Sequence, residues 1–263
     1  MGNIYTAAQI LSLIDLTLLN ENDNEENIKD LCTQSSNPLG KVAAICIFPQ
    51  FIATAQAAFK ELKNQRRFLS PNLEKPIAIA TVINFPQGEY NLTNTLQELD
   101  FALKAGADEI DMVMPYQLLF SGDNLMAEDF IKEIKDHCQE KILKVIIESG
   151  ELDEELTRTA SKIVINTGAN FIKTSTGKVK INATLDAAKY ILEEIHKSKS
   201  KCGFKASGGI RTKAEAVKYL DLASKIMGND FINPSTFRFG ASALVDNLLA
   251  TNPVEKKDKL LNY

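Results

Sequence analysis

Lys104-Ala105-Gly106-Ala107-Asp108-Glu109-Ile110-Asp111 and Asn166-Thr167-Gly168-Ala169-Asn170-Phe171-Ile172-Lys173 share one local grammar. In each, a helical pattern stops at a glycine, the residue that most readily takes the left-handed conformation ending a helix. An apolar strand follows and carries one charged side chain, Asp111 in the first copy and Lys173 in the second. The same alternation extends in both directions. Short β-like runs recur at Leu13–Thr17, Ala43–Phe48, Ile77–Ile83, Glu109–Met114, Leu143–Glu148, Phe171–Thr176, Cys202–Ser207 and Phe237–Ser242. Most are continuous apolar runs, as parallel strands covered on both faces require. Between them lie amphipathic segments at about Asn24–Ser35, Ala53–Arg67, Leu92–Ala105, Ala127–Gln139, Asp153–Thr167, Ala183–His196 and Lys213–Met227. Eight strands alternating with helices predict an α/β fold, a (β/α)8 TIM barrel in a single domain. The barrel is expected over residues 1–252, with a polar tail over 253–263 that breaks away at Pro253 and ends in Tyr263. An open doubly wound sheet is the alternative, weakened in its dinucleotide-binding form because no G-x-G-x-x-G follows the first strand.

Composition narrows the function. The 263 residues carry a net charge of −4, which argues against a nucleic-acid or anionic-membrane surface. No apolar run approaches the length of a membrane helix, and the first residues lack the basic and apolar regions of a secretory signal. The four cysteines, Cys32, Cys46, Cys138 and Cys202, form no C-x-x-C pair, which suits reduced thiols in a cytoplasmic protein. The two histidines, His137 and His196, sit in charged helical segments. A multi-histidine metal site and a histidine-based triad are therefore not expected, and no cofactor is called for.

Chemistry is expected from lysines. Burial disfavours a charged amine, and a neutral amine is a nucleophile toward carbonyl carbon. Lys173 lies inside Phe171-Ile172-Lys173-Thr174-Ser175-Thr176-Gly177-Lys178, and Lys205 lies inside Gly203-Phe204-Lys205-Ala206-Ser207-Gly208-Gly209-Ile210-Arg211. Adjacent strands are about 4.8 Å apart, so two inward lysines there would each favour the neutral form of the other. Asp111, in equivalent place to Lys173 two strands away, could hold a lysine charge or relay protons. Asp15 is a similar carboxylate on the first strand, and Lys144 and Glu148 alternate onto one face of the fifth. Cys46 is a small core residue whose strand position makes it a candidate pocket liner. Glycines after three strands, at Gly177-Lys178, Gly208-Gly209 and Gly240-Ala241-Ser242, match the places where barrels hold a phosphate on backbone N–H groups.

Together these motifs resemble deoxyribose-phosphate aldolases. The resemblance rests on the two lysine strands, on Asp15-Leu16-Thr17, Ala44-Ile45-Cys46-Ile47, Gly106 to Asp111 and Leu143 to Glu148, and on Arg238-Phe239-Gly240-Ala241-Ser242. It covers about Leu13 to Leu249. It implies a metal-free class I aldolase that reversibly cleaves 2-deoxy-D-ribose 5-phosphate to D-glyceraldehyde 3-phosphate and acetaldehyde. Lys173 would form the Schiff base, and Asp111 with Lys205 would relay protons. Asp15, Cys46, Thr176, Gly177, Lys178, Gly208, Gly209, Arg211, Gly240 and Ser242 would contact substrate. The terminal Tyr263 would deliver a proton to the enamine carbon. Another Schiff-base barrel aldolase or a transaldolase is the runner-up. The expected partners are a sugar phosphate and acetaldehyde, with neither nucleic acid nor membrane. The oligomeric state stays open, a homodimer being one option. Two positions depart from the family pattern. Ala206-Ser207 stands where Pro-Ala is common, and Ala243 where a second serine is frequent.

Overall fold

The computed structural model describes residues 5–66 and 76–251. Within them a closed barrel is formed by β1 (Ile14–Thr17), β2 (Ala44–Ile47), β3 (Ala78–Ile83), β4 (Glu109–Val113), β5 (Ile142–Ile146), β6 (Phe171–Lys173), β7 (Gly203–Ser207) and β8 (Phe237–Ala241). All neighbours run parallel in chain order, and β8 returns to β1 through Ile14↔Phe239, Asp15↔Gly240 and Leu16↔Ala241. The helices are α1 (Ala7–Leu11), α2 (Glu25–Gln34), α3 (Ile52–Arg66), α4 (Leu92–Ala105), α5 (Asn124–His137), α6 (Glu154–Asn166), α7 (Leu185–Ser198), α8 (Lys213–Met227) and α9 (Ala243–Thr251). From α2 on, each barrel strand is followed by one of them, as the single-domain (β/α)8 expectation requires. The expected tail, with Tyr263, lies outside the described residues.

Alternation along the strands separates two cores. Ile45, Ile47, Ile79, Ile83, Ile110, Met112, Val145 and Ile172 point outward into the main apolar shell beneath the helices. Ala44, Cys46, Ala80 and Val82 point inward and form a small separate cluster. Most of the remaining interior side chains are charged, with Phe171 lying among them.

Local rules account for the helix ends. Asn24 caps α2 in a reciprocal box with Asn27, and Thr212 caps α8 in one with Glu215. Gly106 at φ 96° closes α4, as its sequence context predicts. Several boundaries differ from expectation. Helix α5 starts at Asn124 rather than Ala127, because Leu125 and Met126 are exposed and blur its apolar periodicity. Strand β5 stops at Ile146, since Glu148 turns to a φ of 50°. Strand β6 stops at Lys173; beyond it Thr174 N–H still bonds to Lys205 O at 3.0 Å, while the Thr174 and Thr176 hydroxyls bond to Ser207 O and Glu148. Helix α1 and a hairpin pairing Ser36–Asn37 with Gly40–Lys41 were too short to leave a periodic signal.

Candidate active site

Register explains how the charged side chains meet. A barrel of this kind shears by about eight residues around eight strands, so alternate strands are offset by roughly two positions. Asp111 pairs in register with Lys144, and Lys144 with Phe171. Advancing two positions along β6 reaches Lys173. The same step around the ring places Cys46, Asp111, Lys173 and Gly240 in one layer. Asp15, Ala80, Lys144 and Lys205 form the layer below it, and Ala44, Glu109, Phe171 and Arg238 the lowest.

Side-chain contacts bear out this layering. In the upper layer, Lys173 Nζ donates to Asp111 Oδ2 at 2.8 Å. Lys205 Nζ reaches the same oxygen from below at 2.7 Å, and also donates to Asp15 Oδ2 at 2.5 Å. Lys144 Nζ donates to Asp111 Oδ1 at 2.8 Å and lies 2.6 Å from Glu109 Oε2 and 3.4 Å from Asp15 Oδ2. At the bottom, Arg238 spans Asp15 Oδ1 at 2.5 Å and Glu109 Oε1 at 3.0 Å, with its guanidinium 5.7 Å from the centre of the Phe171 ring. One carboxylate oxygen, Asp111 Oδ2, is thus shared between two amines. The sequence had suggested two lysines acting on one another across little intervening matter. The structure places a carboxylate between them.

Electrostatics follow from this geometry. Burial alone would push the Asp111 carboxyl up, but the ammonium groups of Lys144, Lys173 and Lys205 outweigh it and hold it well below the usual range. Asp15 is likewise held down against its burial, by Lys144, Lys205 and Arg238. Burial works against charge on Lys205 and Lys144, yet Asp111 and Asp15 raise both above an ordinary lysine. The cluster joined by these contacts has four cationic side chains, Lys144, Lys173, Lys205 and Arg238, against three carboxylates, Asp15, Glu109 and Asp111. Lys173 is the amine with the fewest carboxylate partners, one against two for Lys205 and three for Lys144. It also lies at the C-terminal end of its strand, toward the barrel mouth.

Other expected site residues fall into two groups. Cys46 Sγ lies 4.0 Å from Asp111 Oδ2, and burial, reinforced by that carboxylate, pushes its thiol up to about 11. Asp15 is fully buried, and its oxygens face Lys205 and Arg238. Gly240 lies in the barrel wall, where a Cβ would come 2.5 Å from Ser207 Oγ and 3.2 Å from Lys205 Cε, so its lack of a side chain makes room for Ser207 and the Lys205 stem.

At the mouth, the ends of β6, β7 and β8 are neighbours, and Thr176, Gly177, Lys178, Gly208, Gly209, Arg211 and Ser242 follow those strands. Gly177, Gly208 and Gly209 have φ of 86°, 88° and 85°, a region that favours glycine. Lys178 Nζ donates to Leu19 O at 2.6 Å, and Lys178 N–H to Thr176 Oγ1 at 3.0 Å. The Arg211 N–H is occupied by Glu215, and its side chain is exposed. His137 and His196 are both exposed on helices.

The expected site residues did not include Lys144, Arg238 or Glu109. The signal for two of them was present. Leu143-Lys144-Val145 and Phe237-Arg238-Phe239 each set a cation between apolar strand residues, as in the two lysine strands.

The chain matches known proteins along nearly its whole length. The model of the DeoC/LacD family of aldolases matches residues 9–248. A structure of a candidate deoxyribose-phosphate aldolase from Coccidioides immitis superposes with a TM-score of 0.79 at 25% identity, over 94% of this chain and 87% of that one. Deoxyribose phosphate aldolase from Aeropyrum pernix, described as tetrameric, superposes with a TM-score of 0.72 at 23% identity, over 95% and 94%. The latter likeness speaks to the fold.

Proposed function

The chain belongs to the DeoC/LacD family of aldolases, and on that premise we propose that it is a class I aldolase cleaving 2-deoxy-D-ribose 5-phosphate to D-glyceraldehyde 3-phosphate and acetaldehyde. The observation that carries the reading is the buried Lys173–Asp111–Lys205 bridge through a single oxygen. A nucleophilic amine needs a neighbour that can take and return its protons, and a carboxylate linked to a second amine supplies one.

The steps follow. Lys173 Nζ, as free base, attacks C1 of the open-chain aldehyde, and loss of water gives a protonated imine. A base removes the C3 hydroxyl proton, the C2–C3 bond breaks, and its electrons flow into the imine. C3 becomes the aldehyde carbon of glyceraldehyde 3-phosphate, leaving an enamine on Lys173. Protonation at C2 and addition of water then release acetaldehyde and the free amine. Asp111 is placed to accept and return the proton, and Lys205, held charged by Asp111 and Asp15, replenishes it. The cluster of Gly177, Lys178, Gly208, Gly209 and Ser242 at the mouth supports a phosphate at the far end of the substrate.

The test is product identification with 2-deoxy-D-ribose 5-phosphate in the presence of EDTA. Equal amounts of acetaldehyde and glyceraldehyde 3-phosphate are expected. A ketone product, or transfer of a three-carbon unit to an acceptor aldehyde, would move the chain to another Schiff-base aldolase or a transaldolase. Loss of activity that zinc restores would contradict the lysine mechanism.

A further inference from the structure

Glu148 is a fully buried carboxylate that makes no ion pair with the lysine cluster, although Lys173 lies near enough to act on it electrostatically. Alternation from Lys144 predicts that it points toward that cluster, but its contacts lie elsewhere. Its backbone takes a φ of 50°, a conformation that side chains other than glycine, asparagine and aspartate rarely adopt. The chain turns there out of β5 while staying tied to the next strand, through Ile147 N–H to Lys173 O at 3.0 Å and Ser149 N–H to Thr174 O at 2.8 Å. The turn carries the carboxylate to the residues after β6. Thr176 Oγ1 donates to Glu148 Oε2 at 2.6 Å, and Thr176 N–H lies 3.2 Å from Oε1 and 3.4 Å from Oε2. The same hydroxyl oxygen accepts the Lys178 N–H. A chain of hydrogen bonds therefore runs from Lys178 through Thr176 to Glu148 and fixes Gly177 between them.

A second contact comes from the same short segment. Gly150 lies directly beneath the continuation of that loop, and a Cβ there would come 1.8 Å from Ile181 O. Glu148 and Gly150 thus hold the loop after β6 at two places, one by hydrogen bonds and one by close approach.

We propose that Glu148 is a positioning residue for the substrate's phosphate: it fixes Thr176, Gly177 and Lys178 in the geometry that receives the anion, without touching the reacting carbons. The proposal rests on the aldolase reading above. A buried carboxylate in a left-handed conformation is costly to keep, and the structure shows what it does there. It anchors a glycine turn that would otherwise be free to move. Losing this anchor displaces the anion-binding donors while leaving the Lys173–Asp111–Lys205 bridge in place.

The test compares Glu148→Ala, Glu148→Asp and Glu148→Gln with the native enzyme, on 2-deoxyribose 5-phosphate and on unphosphorylated 2-deoxyribose. Aspartate suits the backbone and keeps the charge but withdraws it from Thr176, so it serves if the alanine variant fails to fold. Glutamine keeps an acceptor for the Thr176 hydroxyl. With Ala or Asp, KM for the phosphorylated sugar should rise about tenfold or more, with kcat much less affected. Cleavage of the unphosphorylated sugar should change far less, and inorganic phosphate should inhibit it more weakly than in the native enzyme. Glutamine should restore most of the loss. Equal losses on both sugars, or unchanged inhibition by inorganic phosphate, would overturn the proposal. A native enzyme that cleaves neither sugar would instead overturn the aldolase reading on which the proposal rests.

Discussion

Asp111 and Gly240 show how much can hang on one residue. Asp111 offers one oxygen to Lys173 and Lys205 and the other to Lys144, so three amines are held by a single side chain. Gly240 contributes by absence, since the Lys205 stem and the Ser207 hydroxyl fill the place of its side chain. Adding one methyl group there forces one of them to move. Overpacking of this kind costs about 1–3 kcal/mol, while a misplacement of about 1 Å near the reacting groups costs about a hundredfold in rate. Gly240→Ala should therefore lower kcat by roughly that factor and leave the protein folded by thermal melting. A variant with native kcat would show that the position of the Lys205 stem is not critical. The sequence revealed Lys173, Lys205 and Asp111 because each is a charge in an apolar strand, a pattern with few bland explanations. It did not show that Asp15 bonds Lys205 and Arg238, because the register across β1 and β8 decides what Asp15 faces. Nor did it show that Gly240 packs against Ser207 and the Lys205 stem, since a glycine's neighbours across the barrel are invisible in sequence.

At the scale of elements, the eight strands were legible because each is an apolar run of nearly uniform burial. Their ends were less so. β5 and β6 were both read too long: backbone bonds between them continue for a few residues, but Glu148 turns out of the extended conformation toward Thr176, and Thr174 adds a side-chain bond across to Ser207. These are the strand ends where the proposed phosphate turn and the nucleophile meet. Hydrophobic pattern predicts how far a strand could run, and it does not show where the chain turns away. The match of Asp111 to Lys173 through the two glycine-started units was sound for a related reason. The barrel's stagger offsets alternate strands by about two positions, and both units place their charged residue at the height where that offset brings them together.

For the whole molecule, the barrel concentrates unlike charges in its interior and surrounds them with an apolar shell. Stability should therefore depend on pH in a defined way. Asp15 and Asp111 have folded values below the unfolded ones, so their contribution is present above about pH 4 and is lost as pH falls through the lower folded values. Lys144 and Lys205 have raised values, so theirs is present below about pH 10.4 and is lost as pH rises through the folded values. Between these limits Glu148 and the buried thiols, all raised by burial, make stability fall as pH rises, Glu148 above about pH 4.3 and Cys32, Cys46, Cys138 and Cys202 above about pH 8.5. Asp111→Asn should lower stability at neutral pH by about 3–5 kcal/mol, the range for breaking a buried charge pair, and should make the acid limb shallower. An acid limb unchanged in Asp111→Asn would show that surface carboxylates set it. The central claim is that this arrangement selects one amine in the whole chain as the nucleophile. Its most direct measurement is borohydride reduction in the presence of acetaldehyde, followed by peptide mapping. The account predicts one stable ethyl group, on Lys173. An adduct mapped to Lys144, Lys178 or Lys205 with Lys173 unmodified, or no adduct at all, would contradict it.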